Sequence, residues 1–166
     1  FELSDNWSLM WGLSGSTGPD SSTPEARLDV AGTDLFLKYR PIDRASNTSV
    51  SLQAEWLLRR RRLGEQSVRN HGGYASLSWR FARRWGTAAR YEYGSEVADP
   101  GAPNAYGGSQ SGSRHRTGVS LTFSPTEFSR LRLQNALDMP STRPLPIYSS
   151  FLTLEVLIGS HPSHKF

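Results

Sequence analysis

Cysteine is absent from the 166 residues, which excludes a disulfide scaffold, a cysteine zinc site and a thiol nucleophile. Long apolar runs are missing too: none exceeds three residues, whereas a membrane-spanning helix needs about 20. Glycine and proline, at 15 and 10 residues, are too few for a collagen-like or low-complexity chain. What the chain has instead is aromatic content, with five Trp and six Tyr at a mean hydropathy of −0.52. Its length predicts a single domain over residues 1–166.

Apolar and polar residues alternate in eight segments of about ten residues each. In the first, Trp7, Leu9, Trp11 and Leu13 lie on one face. The other segments begin near Leu35, Val50, Ala75, Thr87, Val119, Leu131 and Tyr148. A period of two is typical of strands with one apolar and one polar face. The sequence therefore predicts an all-β fold of eight strands, with Asn135 interrupting one apolar face.

The predicted connections alternate between long and short. Residues 17–32, 60–72 and 95–114 are predicted as long loops, and 43–48, 83–84 and 124–128 as short turns, with 139–146 intermediate. Short turns at one end and long loops at the other are typical of antiparallel outer-membrane barrels. Aromatic residues fall toward the ends of the apolar faces, where the interfacial girdles of such barrels lie. The alternative is a soluble protein whose core holds these aromatics.

Several blocks of the sequence resemble one family of Gram-negative outer-membrane proteins. Residues 124–134, SPTEFSRLRLQ, resemble its "SPSEFSRLRLQY" block, and residues 159–166, GSHPSHKF, resemble its "GAHGAHxF" ending. Residues 52–56, 81–85 and 90–91 are similar to its "LQxEY", "FxxRW" and "RYD" segments. Members are labelled zinc-regulated TonB-dependent outer-membrane receptors or porin-like proteins, where zinc describes regulation rather than a ligand set.

This resemblance implies an antiparallel transmembrane β-barrel in the bacterial outer membrane. Since members are longer, the chain is expected to be either the C-terminal part of a larger barrel or a closed eight-stranded one. Porin-like passage of small solutes is the implied function, with a TonB-dependent or substrate-specific receptor, or a sealed scaffold or adhesin, as alternatives. The terminal Phe166 would be the signal that the barrel assembly machinery reads. Outer-membrane lipids, lipopolysaccharide and other subunits of a complex are the remaining expected partners, and no cofactor is expected.

If the apolar faces meet lipid, the alternation sends a charged set toward the barrel interior. The residues predicted to line this lumen are Lys38, Arg40, Glu55, Arg59, Arg80, Arg90, Glu92, Arg116, Arg130, Arg132 and Glu155. Asp34 and Asp138 share their polar registers. In a wide barrel this excess of basic groups would favour anions. In a closed eight-stranded barrel the same groups would pair as a plug. Arg80, Arg90, Arg116, Arg130 and Arg132 are expected to form a basic ladder with Glu92 and Asp138 as partners.

The remaining polar motifs favour membrane contacts over chemistry. The run Arg59–Arg62 suits lipopolysaccharide phosphates at the barrel rim better than nucleic acid. His161 and His164 point to opposite faces of an extended tail and lack further ligands, so no metal site is predicted. A lipid-modifying enzyme would need His115 together with a serine and an acid, and no spaced motif supplies them. The chain is therefore predicted not to be an enzyme.

Overall fold

A computed structural model of the chain describes residues 2–20, 24–42, 47–96 and 112–158. These residues form one antiparallel sheet of nine strands, of which the first has only three residues. The strands are β1 (Glu2–Ser4), β2 (Trp7–Pro19), β3 (Arg27–Tyr39), β4 (Ser49–Leu63), β5 (Gln66–Ala82), β6 (Trp85–Gly94), β7 (Arg114–Thr126), β8 (Ser129–Pro140) and β9 (Ile147–Val156). The predicted all-β fold with eight long antiparallel strands is therefore confirmed.

Each strand pairs only with its neighbours in sequence, so the sheet is a simple meander from β1 to β9. Among the described residues, no contact joins β9 to β1 or β2, and the sheet is open. The closed eight-stranded form of the prediction is thus not what these residues adopt. No helix in the described ranges is long and apolar enough to cross a membrane.

The connections differ from the sequence prediction in two places. Of residues 17–32, expected to be a long loop, only 20–26 lie between β2 and β3, because these strands pair as far as Pro19 and Arg27. Residues 60–72, expected to be a long loop, continue β4 and β5 as a ladder that ends in the pair Leu63 and Gln66. Only Gly64 and Glu65 connect the two strands. Gly64 has a φ of +57°, which suits the first central position of a type II′ turn, the turn that matches the twist of paired strands. β4 and β5 reach 15 and 17 residues, and together with the paired ends of β2 and β3 they extend beyond β6, β7 and β8 at this end.

At the opposite end the turns are short, as predicted. Arg83 and Arg84 connect β5 to β6, and Glu127 and Phe128 connect β7 to β8. We call this end the turn end, and the end that carries the β4–β5 hairpin the loop end. Most of the predicted loop 95–114 lies outside the described residues.

Gly73 is a point of close approach within β5. A Cβ atom added there would collide with the backbone carbonyl oxygen of Glu55 and with Trp56. Only glycine allows the two strands this proximity. The pair Gly72–Gly73 therefore permits β5 to bend against β4, as curved sheets require.

Candidate functional site

The strand register sorts the side chains onto two faces of opposite character. One cross-strand row joins Asp34, Glu55, Tyr74, Glu92, Arg116 and Asp138. The neighbouring residues along each strand form the other face, which carries most of the Leu, Trp and Phe residues. We call these the polar face and the apolar face.

The polar face carries nine basic and five acidic side chains within the described strands. The basic ones are Lys38, Arg59, Arg61, Arg80, Arg90, Arg114, Arg116, Arg130 and Arg132. The acidic ones are Asp34, Glu55, Glu92, Asp138 and Glu155. All residues predicted from the alternation thus share this face except Arg40, which follows the end of β3.

Burial is inverted relative to a water-soluble protein. On the polar face of β8, Ala136 and Asp138 are only 4% and 7% exposed. On the apolar face, Leu133 in the same strand is 43% exposed and Leu152 in β9 is 71% exposed. A soluble domain rarely exposes large contiguous apolar patches, whereas this face exposes many of its large apolar side chains, among them Trp79, Leu121 and Leu154.

The sheet curls toward its polar face. A hollow of about 1200 Å³ at the turn end is lined by Arg40 and Asn47, next to β3 and β4, and by Arg130 and Leu157, next to β8 and β9. Residues from opposite parts of the strand order can line one hollow only if the sheet is strongly curved. The polar face is therefore the concave face.

A polar network occupies the centre of this concave face. Arg90 donates from Nε to Glu92 Oε1 at 2.6 Å and lies over the ring of Tyr74, 3.8 Å from its centroid. The Tyr74 hydroxyl accepts a hydrogen bond from Gln53 Nε2 at 2.8 Å. Arg90 is thus fixed by a carboxylate and by a cation–π contact. Beside it, Arg116 lies opposite Glu92 and Asp138 in the register, makes no ion pair with another described residue, and helps to line a further hollow of the concave face.

Asp138 and Glu155 neutralise three further arginines. Both Asp138 oxygens accept from Arg114, with Nε to Oδ1 at 2.7 Å. Glu155 lies 3.5 Å from Arg130 and 3.6 Å from Arg132.

These pairs correct the predicted basic ladder. Its five arginines share the polar face, but only Arg80 and Arg132 lie in one cross-strand row, and the other three lie in different rows. Glu92 binds Arg90 as expected, whereas Asp138 binds Arg114. Sequence reasoning had assigned Arg114 to a loop. Arg114 alternates in step with Arg116, and that spacing could have identified it as part of the polar face.

Three pairs of polar side chains on the apolar face are hydrogen-bonded to each other. Trp11 Nε1 donates to Thr33 Oγ1 at 2.9 Å. The Tyr148 hydroxyl donates to Asn135 Oδ1 at 2.5 Å, so the polar side chain that interrupts this apolar face has a hydrogen-bond partner on the same face. The Tyr91 hydroxyl hydrogen-bonds to His115 Nδ1 at 2.6 Å. Such pairing allows these side chains to lie in an environment without water.

Aromatic rings gather at the two ends of the apolar face. Near the turn end, the rings of Trp7 and Tyr39 lie 4.8 Å apart, and those of Trp85 and Phe123 lie 4.6 Å apart. Near the loop end, stacked and tilted contacts link Trp56, His71, Tyr93 and His115. Along β7 the two groups are eight residues apart, about 26 Å at the usual strand rise. We call the two groups the turn-end and loop-end aromatic bands.

Beyond the loop-end band, charged groups occupy both faces. Arg61, on the polar face, is 4% exposed and its Nε lies 2.7 Å from Asp20. Asp29, on the apolar face, accepts from the Thr17 hydroxyl and from Arg62 Nη2, each at 2.6 Å. The Thr17 hydroxyl first, and then the Arg62 guanidinium, hold the pKa of Asp29 below its usual value of 3.8.

The remaining sequence-predicted groups give no catalytic or metal-binding arrangement. His115 lies on the apolar face, beside Tyr91 and Tyr93. Within the described ranges, no cluster of three His, Asp or Glu side chains could hold a metal ion. Phe166, His161 and His164 lie outside the described residues.

Comparison with known proteins gives one relative and no family. No family model matches the chain, and no solved structure matches it. A protein of Aquifex aeolicus (strain VF5), described only as an uncharacterized protein, is 30% identical over 191 residues. The match covers 97% of this chain and 38% of that protein, so the chain spans well under half the length of the relative. These comparisons do not test the resemblance to TonB-dependent receptors, which stays a prediction.

Proposed function

We propose that the chain supplies strands of a transmembrane β-barrel in a bacterial outer membrane, and that its polar face lines a passage for small anionic solutes. The observation that carries this proposal is the inverted burial, with an exposed convex apolar face and a sheltered concave polar face. A barrel in lipid has this arrangement, because its outer surface meets hydrocarbon and its interior meets water or polar groups.

The details of the apolar face support a lipid environment. The distance of about 26 Å between the aromatic bands along β7 corresponds to about 20 Å of height if the strands tilt by roughly 40°. This is close to the apolar band of about 25 Å in known barrels. The free edge of β9 must then pair with another strand, because an open edge cannot be satisfied in lipid. Strands beyond the described residues would close the barrel in this proposal.

The charges of the polar face favour anions. The strands place nine basic groups against five acidic ones, three of these carboxylates are bound to arginines, and Asp20 binds Arg61. Arg80 and Arg116 make no ion pair with another described residue, although Arg116 lies opposite Glu92 and Asp138 in the register, and both arginines line hollows of the concave face. A pore wall with excess positive charge raises the local anion concentration. Added salt weakens this effect, because at 0.1 M ionic strength a charge is largely screened beyond a distance of about 10 Å.

Single-channel recording across a salt gradient tests the proposal. We expect a measurable conductance and a reversal potential whose sign indicates that anions pass more readily than cations. Arg116→Glu should move this potential toward cation selectivity. Arg143→Glu makes the same charge change in an exposed segment at the loop end and should move it far less. Cation selectivity in the unaltered protein that persists after Glu55 and Glu92 are neutralised would contradict the anionic passage.

A sealed membrane scaffold is the second candidate, and the ion pairs of the concave face favour it. Arg90–Glu92, Arg114–Asp138 and the two arginines on Glu155 are the kind of contacts that fill small barrels. A preparation that inserts into bilayers but stays electrically silent would favour this candidate.

A further inference from the structure

The run of four arginines in β4 is divided between the two faces. Arg59 and Arg61 lie on the polar face, where Arg61 is buried against Asp20. Arg60 and Arg62 lie on the apolar face, in the loop-end extension of β4. Two of the four arginines are therefore directed to the side on which Trp56 and Leu58 are exposed.

These two arginines belong to a larger cluster on the same face. Arg60 lies directly opposite Arg69 of β5 and Asp29 of β3, and Arg62 lies opposite Arg27. We call these five residues the outer basic cluster. It contains four basic groups and one carboxylate.

The single carboxylate of the cluster is already engaged. Asp29 binds the Thr17 hydroxyl and Arg62, and Arg27 Nε lies 3.8 Å from it. Arg60 and Arg69 are both exposed and have no ion pair with any described residue. Like charges directly opposite each other on neighbouring strands are destabilising. The pair therefore forms a site in which a bound anion would relieve repulsion.

An apolar groove lies below the cluster on the same face. It has a volume of about 390 Å³ and is lined mainly by aromatic and small residues, with Asp34 and Glu55 also at its border. The small residues Ala54, Gly73 and Ala75 lie between the rings of Trp11 and Tyr91. A lipid chain can lie along small residues flanked by rings, because it gains contact area there without displacing a large side chain.

The vertical spacing of the two features matches that of a lipid. Trp56, in the loop-end band, precedes Arg60 by four residues, about 13 Å along the strand. A strand tilt of roughly 40° reduces this to a height of about 10 Å. The headgroup region of one leaflet is about 5–8 Å deep. With Trp56 at the hydrocarbon boundary, the long Arg60 and Arg69 side chains reach headgroup phosphates.

We propose that the outer basic cluster and the groove together bind one membrane lipid whose headgroup carries a phosphate monoester. The phosphate lies between Arg60 and Arg69, and an acyl chain lies in the groove. A monoester carries a charge of about −1.5 to −2, which the two unpaired guanidinium groups match better than they match the single charge of a diester. This inference rests on the proposed membrane orientation of the apolar face.

Tryptophan quenching by brominated lipids tests both parts. The protein is inserted into phosphatidylcholine vesicles that contain either phosphatidic acid, a monoester, or phosphatidylglycerol, a diester, with bromine on the acyl chains. We expect stronger quenching by phosphatidic acid at equal content. Arg69→Gln should lower the apparent affinity for phosphatidic acid about tenfold, the usual effect of one lost hydrogen bond between charged groups. Arg143→Gln removes the same charge at the same end of the sheet and should change it less than about twofold.

A second variant isolates the groove. Ala75→Leu fills its floor and should reduce quenching by phosphatidic acid, and inorganic phosphate should compete only weakly. Equal losses in Arg69→Gln and Arg143→Gln would overturn the proposal, because they would indicate general charge attraction. Full competition by inorganic phosphate, with no effect of Ala75→Leu, would identify a free-phosphate site instead. If brominated phosphatidylcholine alone causes no quenching, the membrane orientation itself is wrong. If it does and phosphatidic acid has no advantage, only the lipid site fails.

Discussion

A charge placed at mid-height distinguishes a lipid-facing surface from a water-facing one. Val119 lies on the apolar face of β7, four residues from Phe123 in the turn-end band and four from His115 in the loop-end band. Each band is thus about 13 Å away along the strand. Its side chain is 57% exposed. Val119→Arg would therefore put a guanidinium at the centre of the apolar face.

The two environments predict different costs for this substitution. At the midplane of a bilayer an arginine on the lipid face of a barrel costs about 2–4 kcal/mol. That lowers the ratio of folded to unfolded protein by about thirtyfold to nearly a thousandfold. In water, the same change at so exposed a site would cost no more than about 0.5 kcal/mol.

The adjacent residue is the matched control. Ser120 lies on the polar face, where Arg90 and Gln134 line the same hollow. Ser120→Arg should cost less than about 1 kcal/mol, because the new charge reaches water, and Val119→Leu should change little. Denaturant unfolding from phospholipid vesicles, followed by tryptophan fluorescence, measures all three variants. A cost for Val119→Arg as small as that for Ser120→Arg, or a larger cost for Ser120→Arg, would refute the lipid-facing assignment.

Three further predictions concern individual contacts. Gly73→Val should lower the free energy of unfolding by about 1–3 kcal/mol, because the new Cβ meets a neighbouring backbone carbonyl. Gly94→Val places its side chain in open space and should cost clearly less in the same denaturant titration. Tyr148→Phe should lower the free energy of unfolding by about 1–2 kcal/mol, because it leaves the Asn135 amide oxygen without a donor. Adding Asn135→Leu should recover most of that loss, and a double variant as unstable as the single one would contradict the pairing. Because the pKa of Asp29 is lowered on folding, its contribution to stability is present above the unfolded pKa and declines as the pH falls through and below 3.8. Asp29→Asn should therefore weaken the dependence of the free energy of unfolding on pH in that range, and an unchanged dependence would contradict the contact with Thr17.

The sheet could be predicted from sequence wherever one face is apolar. Between the two aromatic bands, each strand alternates strictly enough for a period of two to be read directly, as in Val119–Phe123. Beyond the loop-end band, the apolar requirement disappears while the backbone pairing continues. Arg60, Arg62 and Arg69 are on a strand face that no longer needs apolar side chains, so the sequence there resembles a loop. This explains why residues 60–72 were predicted as a loop and are a hairpin.

The partners within the polar face were harder to predict than the face itself. Alternation assigns Asp138 to a face, but only the register and the strand ends decide that Arg114, rather than another arginine, reaches it. The start of β7 follows a connection rich in Gly and Ser, so only the two-residue spacing of Arg114 and Arg116 indicates that the strand includes Arg114. A shift of two residues in the strand register keeps every side chain on its face but changes its partner, so the hydrophobic pattern alone does not identify which charges pair.

The strictly sequential strand order has an evolutionary consequence. Since each strand pairs only with the strands before and after it, a hairpin can be duplicated or lost without changing the register of any other pair. The circumference of such a sheet then grows in steps of two strands, and its diameter grows roughly in proportion to strand number. Relatives of very different length can therefore keep local sequence similarity while enclosing different widths. If a sheet of this order closes into a barrel, gene length would set the width of that barrel, and the individual hairpin would be the heritable unit.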